Sequence, residues 1–198
     1  MRIVLPAAVL LAALPLSLSA FKEGPMPNVA GGFGEPTCRM CHLDNPLNAP
    51  GGTLTVSGIP SSYVLGRTYA LTVRLARTDM RRGGFEIGAR FAASGPERGK
   101  QAGSWRPRDG RVQIQRSQDG TVAFAQHSAA GTHAATPGDL SWTFDWIAPS
   151  AAHGPVQFNA AANASNDDAS ALGDHIYTDE QRSTHEDRAA TSGASPLP

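Results

Sequence analysis

Cys38-Arg39-Met40-Cys41-His42 is the stretch whose residue types and spacing promise chemistry. Cys-x-x-Cys-His is the attachment pattern for c-type haem. Two thiols three positions apart can each form a thioether to one vinyl group, and the histidine that follows them then lies under the iron as its proximal axial ligand. Three plainer readings use the same residues: a small disulfide, a dithiol redox couple, and half of a zinc site. A structural zinc site wants a second ligand pair, and the chain has only these two cysteines. A thioredoxin-like couple wants βαβ patterning, which the rest of the sequence does not show.

A haem held by Cys38, Cys41 and His42 leaves its sixth position to be assigned. A second strong ligand favours electron transfer, whereas an open position admits small ligands or peroxide. The candidates are His127, His133, His153, His175 and His185, with Met26 and Met80 as thioether alternatives. Met40 lies inside the motif and is not expected to reach the distal side. His127 follows a strand pattern, and His175 lies in Gly173-Asp174-His175-Ile176-Tyr177, so both are expected to be held by structure. His175 is the preferred distal candidate and His127 the alternative, each set against the plain reading of a hydrogen-bonded or solvent-facing sandwich histidine. His185 reads as part of a solvated tail.

Asn163, Asn166, Asp167, Asp168 and Asp174 form an oxygen-rich cluster. It lacks the mid-loop glycine and closing glutamate of an EF-hand, so an ordinary turn-rich loop is expected. No nucleophile elbow and no phosphate-binding loop is present, and the haem motif is the only catalytic or redox set.

The elements around the motif follow from composition. Arg2, the apolar run Ile3 to Leu16 and Ser17-Leu18-Ser19-Ala20 have the three regions of a secretory signal peptide over residues 1–19. Export and c-type attachment support each other, because this haem is joined to the chain outside the cytoplasm. A periplasmic or secreted location is therefore expected. No second apolar stretch of membrane length follows, so the mature chain is expected to have no membrane span. Seventeen basic and 17 acidic residues balance to zero, which leaves no electrostatic footprint for nucleic acid.

Residues 20–52 interleave glycine and proline without a sustained period and predict a loop-rich segment, with room for at most a short helical turn at the motif. Over residues 53–178 the period becomes two. Leu54 and Val56, then Leu71, Val73 and Leu75, then Phe85, Ile87, Ala89 and Phe91 alternate with polar or small residues. Val112 and Ile114, Val122 and Phe124, Trp142, Phe144 and Trp146, and Val156 and Phe158 continue the pattern. Seven short strands separated by turn signals predict an all-β, immunoglobulin-like antiparallel β-sandwich. Residues 179–198 read as a polar, disordered tail.

Particular motifs within this pattern carry a resemblance. Tyr63-x-x-Gly66-x-x-Tyr69 leading into Leu71-x-Val73, Gly83-Gly84-Phe85-Glu86-Ile87-Gly88-Ala89-Arg90, Gln126-His127-Ser128, Trp142-Thr143-Phe144-Asp145-Trp146-Ile147-Ala148-Pro149, Val156-x-Phe158 and Gly173-Asp174-His175-Ile176-Tyr177 together resemble the Reeler (reelin-like) domain. More narrowly they resemble its bacterial exported choice-of-anchor form, in which a Cys-x-x-Cys-His segment precedes the sandwich. The resemblance covers about Gly31 to Thr178. Leu65 stands where that family often has proline. The resemblance implies a fold and an exported location and brings no defined reaction.

These readings converge on an exported monohaem c-type cytochrome. One covalent haem c would pass single electrons to or from a redox partner protein, and the chain would be an electron-transfer protein more than an enzyme. Two alternatives remain open: an extracytoplasmic binding or adhesion module whose Cys-x-x-Cys is a local disulfide, and a haem sensor or peroxidase-like protein with an open sixth site.

Overall fold

The computed structural model describes residues 22–186, so the expected signal peptide at 1–19 lies outside the described residues. Ten strands follow one another: β1 (Gly52–Ser57), β2 (Ser62–Tyr63), β3 (Thr68–Arg77), β4 (Arg82–Phe91), β5 (Ser104–Pro107), β6 (Val112–Arg116), β7 (Ala123–His127), β8 (Asp139–Ile147), β9 (Val156–Ser165) and β10 (His175–His185). They make a four-stranded sheet in the order β1-β3-β8-β5 and a six-stranded sheet in the order β2-β10-β9-β4-β7-β6. The all-β sandwich expected from the alternating pattern is the fold of the chain. All pairings are antiparallel except the short contact of β2 with β10.

Between the sheets lie the large side chains of the period-two rows. Leu71 and Val73 of β3 stand opposite Phe144 and Trp142 of β8. Phe85 from the other sheet packs on both aromatics, with ring centroids 4.6 Å from Trp142 and 5.6 Å from Phe144. Each of those side chains, fully buried, contributes about 1.5–3 kcal/mol. The indole N–H groups of Trp105, Trp142 and Trp146 donate to the carbonyls of Ala123, Gly131 and Ala102 at 2.8–3.0 Å, so the aromatic core strands no polar group there.

Two expectations are corrected. Ten strands are present, not seven, because β2, β5 and β10 lack a hydrophobic row. The polar tail expected from 179 begins instead as strand. β10 runs to His185 and pairs with β9 from His175↔Ala164 through Ser183↔Val156. Asp179, Glu180, Gln181 and Arg182 have low strand propensity, but the ladder with β9 decides their conformation. His185 accordingly lies in a strand, its ring 5.5 Å from that of Tyr63.

β4 and β9 are buried on both faces, which a two-layer sandwich alone does not produce. The second cover is the loop-rich segment 22–50, laid across the outer face of the six-stranded sheet. Val29 N–H donates to Glu86 Oε1 of β4 at 2.7 Å, and Ala30 packs with Val122 and Phe124. The approach is close enough that a Cβ on Gly32, whose φ is +80°, would fall 2.2 Å from the Asn159 side chain of β9. The segment that contains the cysteines is thus a third layer over part of the sandwich.

Candidate functional site

Cys38, Arg39 and Met40 form one turn of 3-10 helix. Thr37 caps it, its hydroxyl accepting from Arg39 N–H at 3.2 Å, and the Cys38 carbonyl accepts from both Cys41 N–H and His42 N–H at 3.3 Å. Residues i and i+3 eclipse in a 3-10 turn, so Cys38 and Cys41 come onto one side of it. Both are free thiols. One short turn is all the helix found at the motif, within the limit its flanking prolines and glycines set.

His42 follows at the end of the turn and is held from the far side of the chain. Its Nδ1 lies 2.8 Å from Oδ2 of Asp174, a carboxylate only 1% exposed. Asn163 of β9 donates from Nδ2 to the same oxygen at 2.9 Å, and the same nitrogen lies 3.3 Å from His42 Nδ1 and 3.4 Å from His42 Nε2. Asp174 also accepts from Asn166 N–H. A carboxylate beside Nδ1 makes that nitrogen the donor, and neutral imidazole then keeps its lone pair on Nε2. The turn itself is fastened to the same region: Asn45 Nδ2 donates to the Asp174 carbonyl at 2.9 Å, Gly173 N–H to Asp44 Oδ2 at 2.7 Å, and Asn48 N–H to the Ile176 carbonyl at 2.9 Å.

Cys38, Cys41 and His42 line one open cleft at the edge of the covering segment. Met26 and Val29 from the covering segment, Gly84 of β4, His127 of β7 and the cations Lys22 and Arg82 also line it. Burial, then the Glu86 carboxyl, push the Cys38 thiol up to about 12. Burial likewise raises the Glu86 carboxyl to about 8 against the lowering effect of the Val29 N–H bond.

His127 shares the cleft but is held differently. It is 7% exposed, and its Nδ1 accepts from Phe85 N–H at 3.0 Å, in the place where the β4–β7 ladder would otherwise continue. The ring lies against Gly84, where an added Cβ would fall 2.4 Å from Cε1. His175, the preferred distal candidate in the sequence, does not line the cleft. It pairs with Ala164, a core residue, so strand alternation turns it to the face opposite Asp174. There burial, then Arg77, lowers its pKa below the ordinary histidine value. His133 approaches Arg82 and His153 packs on the edge of Phe91; neither lines the cleft, nor does His185. Met80 is a core residue, whereas Met26 is half-exposed on the cleft wall.

The residues fit a c-type haem by donor chemistry: two unjoined thiols on one side of a turn, a carboxylate-held imidazole beside them and an apolar wall, with Lys22 and the Arg82–Asp167 pair at the margin of the same cleft. Among the described residues no three histidine, cysteine or acidic side chains converge on a bare metal ion. The oxygen-rich loop is laced by its own Asx turns, Asp168 N–H to Asn166 Oδ1 and Ser170 N–H to Asp168 Oδ1, while Asp167 meets Arg82. Among the described residues no helix is long and apolar enough to cross a membrane. Sequence reasoning passed over Asp174 and Asn163 as partners of His42. The only local signal was the polarity of Asn163 in an otherwise alanine-rich strand end.

A two-sheet antiparallel sandwich with a docked Cys-x-x-Cys-His layer is the class that fold and site define. The sequence matches no family model and no curated protein. Among solved structures the chain is similar to the human F-spondin reeler domain, with 23% identity over 71% of this chain and 93% of that one and a TM-score of 0.47. It is also similar to the Reelin-N domain of F-spondin, at 20% identity over 76% and 98% and a TM-score of 0.46. A cohesin module from a Clostridium perfringens family 33 glycoside hydrolase shares 12% identity over 68% and 98%, with a TM-score of 0.40.

Proposed function

We propose that the chain is an exported protein holding one covalent haem c through Cys38 and Cys41, with His42 as the proximal ligand, and that it exchanges single electrons with a redox partner protein. The observation that supports this most is the placement of His42: its Nδ1 is engaged by buried Asp174 in the cleft that both thiols line. That arrangement selects the tautomer a metal ligand needs and orients the ring. Haem, when bound, supplies the one-electron iron couple; the chain supplies attachment, orientation and shielding from water. Met26 and Met40 both line the cleft; Met26, which lies outside the attachment turn, is the thioether candidate for the sixth position. The Reeler-like motifs and the apolar leader support export.

The dithiol-couple reading fares worse. Such a couple needs a thiol of depressed pKa, and Cys38 is displaced the other way, to about 12. A sensor or peroxidase-like protein with an open sixth site is the second reading. It is favoured by His127, whose Nδ1 accepts from Phe85 N–H and so leaves the proton on Nε2, and by His175 lying away from the cleft.

A pyridine haemochrome spectrum and a haem-stained denaturing gel, on protein exported in a host with c-type maturation machinery, test the proposal. Haem that stays with the denatured chain and gives a c-type spectrum is expected. A folded, colourless protein overturns it and returns Cys38 and Cys41 to the disulfide of a binding module. Cyanide or carbon monoxide binding without displacement of a thioether charge-transfer band selects the open-site reading.

A further inference from the structure

We infer that Asp174 is a positioning residue for the iron site: its carboxylate, hydrogen-bonded to His42 Nδ1, holds the ring in place and makes it a more electron-donating ligand, which favours the ferric state. The inference rests on the haem reading above and concerns Asp174 and Asn163, which no local pattern ties to the attachment motif.

The geometry has three parts. Asp174 is nearly inaccessible, so its 2.8 Å contact with His42 is not diluted by water. Its remaining acceptor capacity is used by Asn163 Nδ2 at 2.9 Å and Asn166 N–H at 3.3 Å, which fix the carboxylate in one orientation. Its backbone is anchored too, through Asn45 Nδ2 on the Asp174 carbonyl and the neighbouring Gly173 N–H on Asp44. Partners that orient a ligating histidine raise its basicity, and a carboxylate does so more than a neutral acceptor, because a charge-assisted hydrogen bond is roughly twice as strong as a neutral one. Asn163 works against it: each donor on the Asp174 oxygen draws off charge that His42 would otherwise feel.

Two variants therefore move the iron couple in opposite directions. Asp174→Asn replaces the anion by an amide and shifts the midpoint potential upward. Asn163→Ala removes a competing donor and shifts it downward by less. Asp44→Asn weakens the loop anchor without touching the carboxylate and leaves the potential where it was. Asp174→Glu, which keeps the anion, restores part of the shift in potential. Equal shifts of one sign in all three variants mark a merely structural role and overturn the inference, as does an unchanged potential in a haem-loaded Asp174→Asn. Should Asp174→Asn fail to fold, an unchanged or raised potential in Asn163→Ala overturns it. A wild-type chain without covalent haem overturns the functional reading itself, a result separate from any of these.

Discussion

His42 and His127 line one cleft, and each has its Nδ1 engaged, but by partners of opposite kind. At His42 the partner is a carboxylate, so Nδ1 donates and Nε2 keeps a lone pair. At His127 it is the Phe85 amide, so Nδ1 accepts and Nε2 carries the proton. The first histidine is prepared to ligate a metal. The second is spent on the sheet, where it closes the end of the β4–β7 ladder with a side chain. Proximity to a cleft therefore says less about a histidine than the hydrogen-bonding sense of its other nitrogen.

The sharpest way to break this comparison is to delete each ring in turn. His42→Ala is expected to abolish the haem spectrum, and also to lower the stability of the haem-free chain, since buried Asp174 loses its charge-assisted partner. His127→Ala is expected to spare the haem. Haem content and spectrum persist, while stability falls by about 1–3 kcal/mol because Phe85 N–H is left buried without its acceptor. Absorption spectra and urea titration read both. Loss of the haem spectrum in His127→Ala would make His127 an iron ligand and erase the distinction.

Glu86 tests the layer that carries His42, to which His127 does not belong. The carboxyl is 0% exposed beneath the covering segment and is raised to about 8. The folded chain thus holds a proton that the unfolded chain releases in the ordinary carboxylate range. Its contribution to stability is intact below that range, falls as pH rises through it, and is gone once pH passes about 8. Glu86→Gln keeps the acceptor for Val29 N–H and removes the titration. Its stability is expected to be flat over that interval and to exceed wild type at the alkaline end by on the order of 4 kcal/mol. Denaturant midpoints across the interval measure it; a parallel decline in both proteins would remove Glu86 as the cause.

How far the sequence leads can be judged on these same residues. The alternating rows at Leu71–Leu75, Phe85–Phe91 and Trp142–Trp146 are local patterns, and they foretold the core strands. β10 was not foretold, because Asp179 to Arg182 form strand only by pairing with β9. The choice between Asp174 and His175 was missed for a related reason. Adjacent residues at a strand entry face opposite ways, and nothing local says which face a loop some 130 positions upstream will cover. Asp174 meets His42 only because residues 44–48 are laced to β10. Glu86 was hidden in the same way: an acid alternating with Phe85 and Ile87 reads as solvent-facing until a third layer is laid on it.

The finest test uses Gly84, which stands between the two histidines. It pairs with Asn163, the residue that touches His42 and Asp174, while its own missing Cβ would point into the His127 ring at 2.4 Å from Cε1. Its backbone is not left-handed, so space alone decides the outcome of Gly84→Ala. The methyl group must displace a ring that is fixed by the Phe85 N–H bond, at a cost of about 1–3 kcal/mol for overpacking a filled site. If the two histidines are independently held, the cost appears entirely on the His127 side. The unfolding midpoint drops, the His127 ring resonances move, and the midpoint potential of the haem-loaded protein stays at its wild-type value. A shift in potential comparable with that of Asp174→Asn would mean that β4 transmits the displacement through Asn163, and that the two sites respond as one.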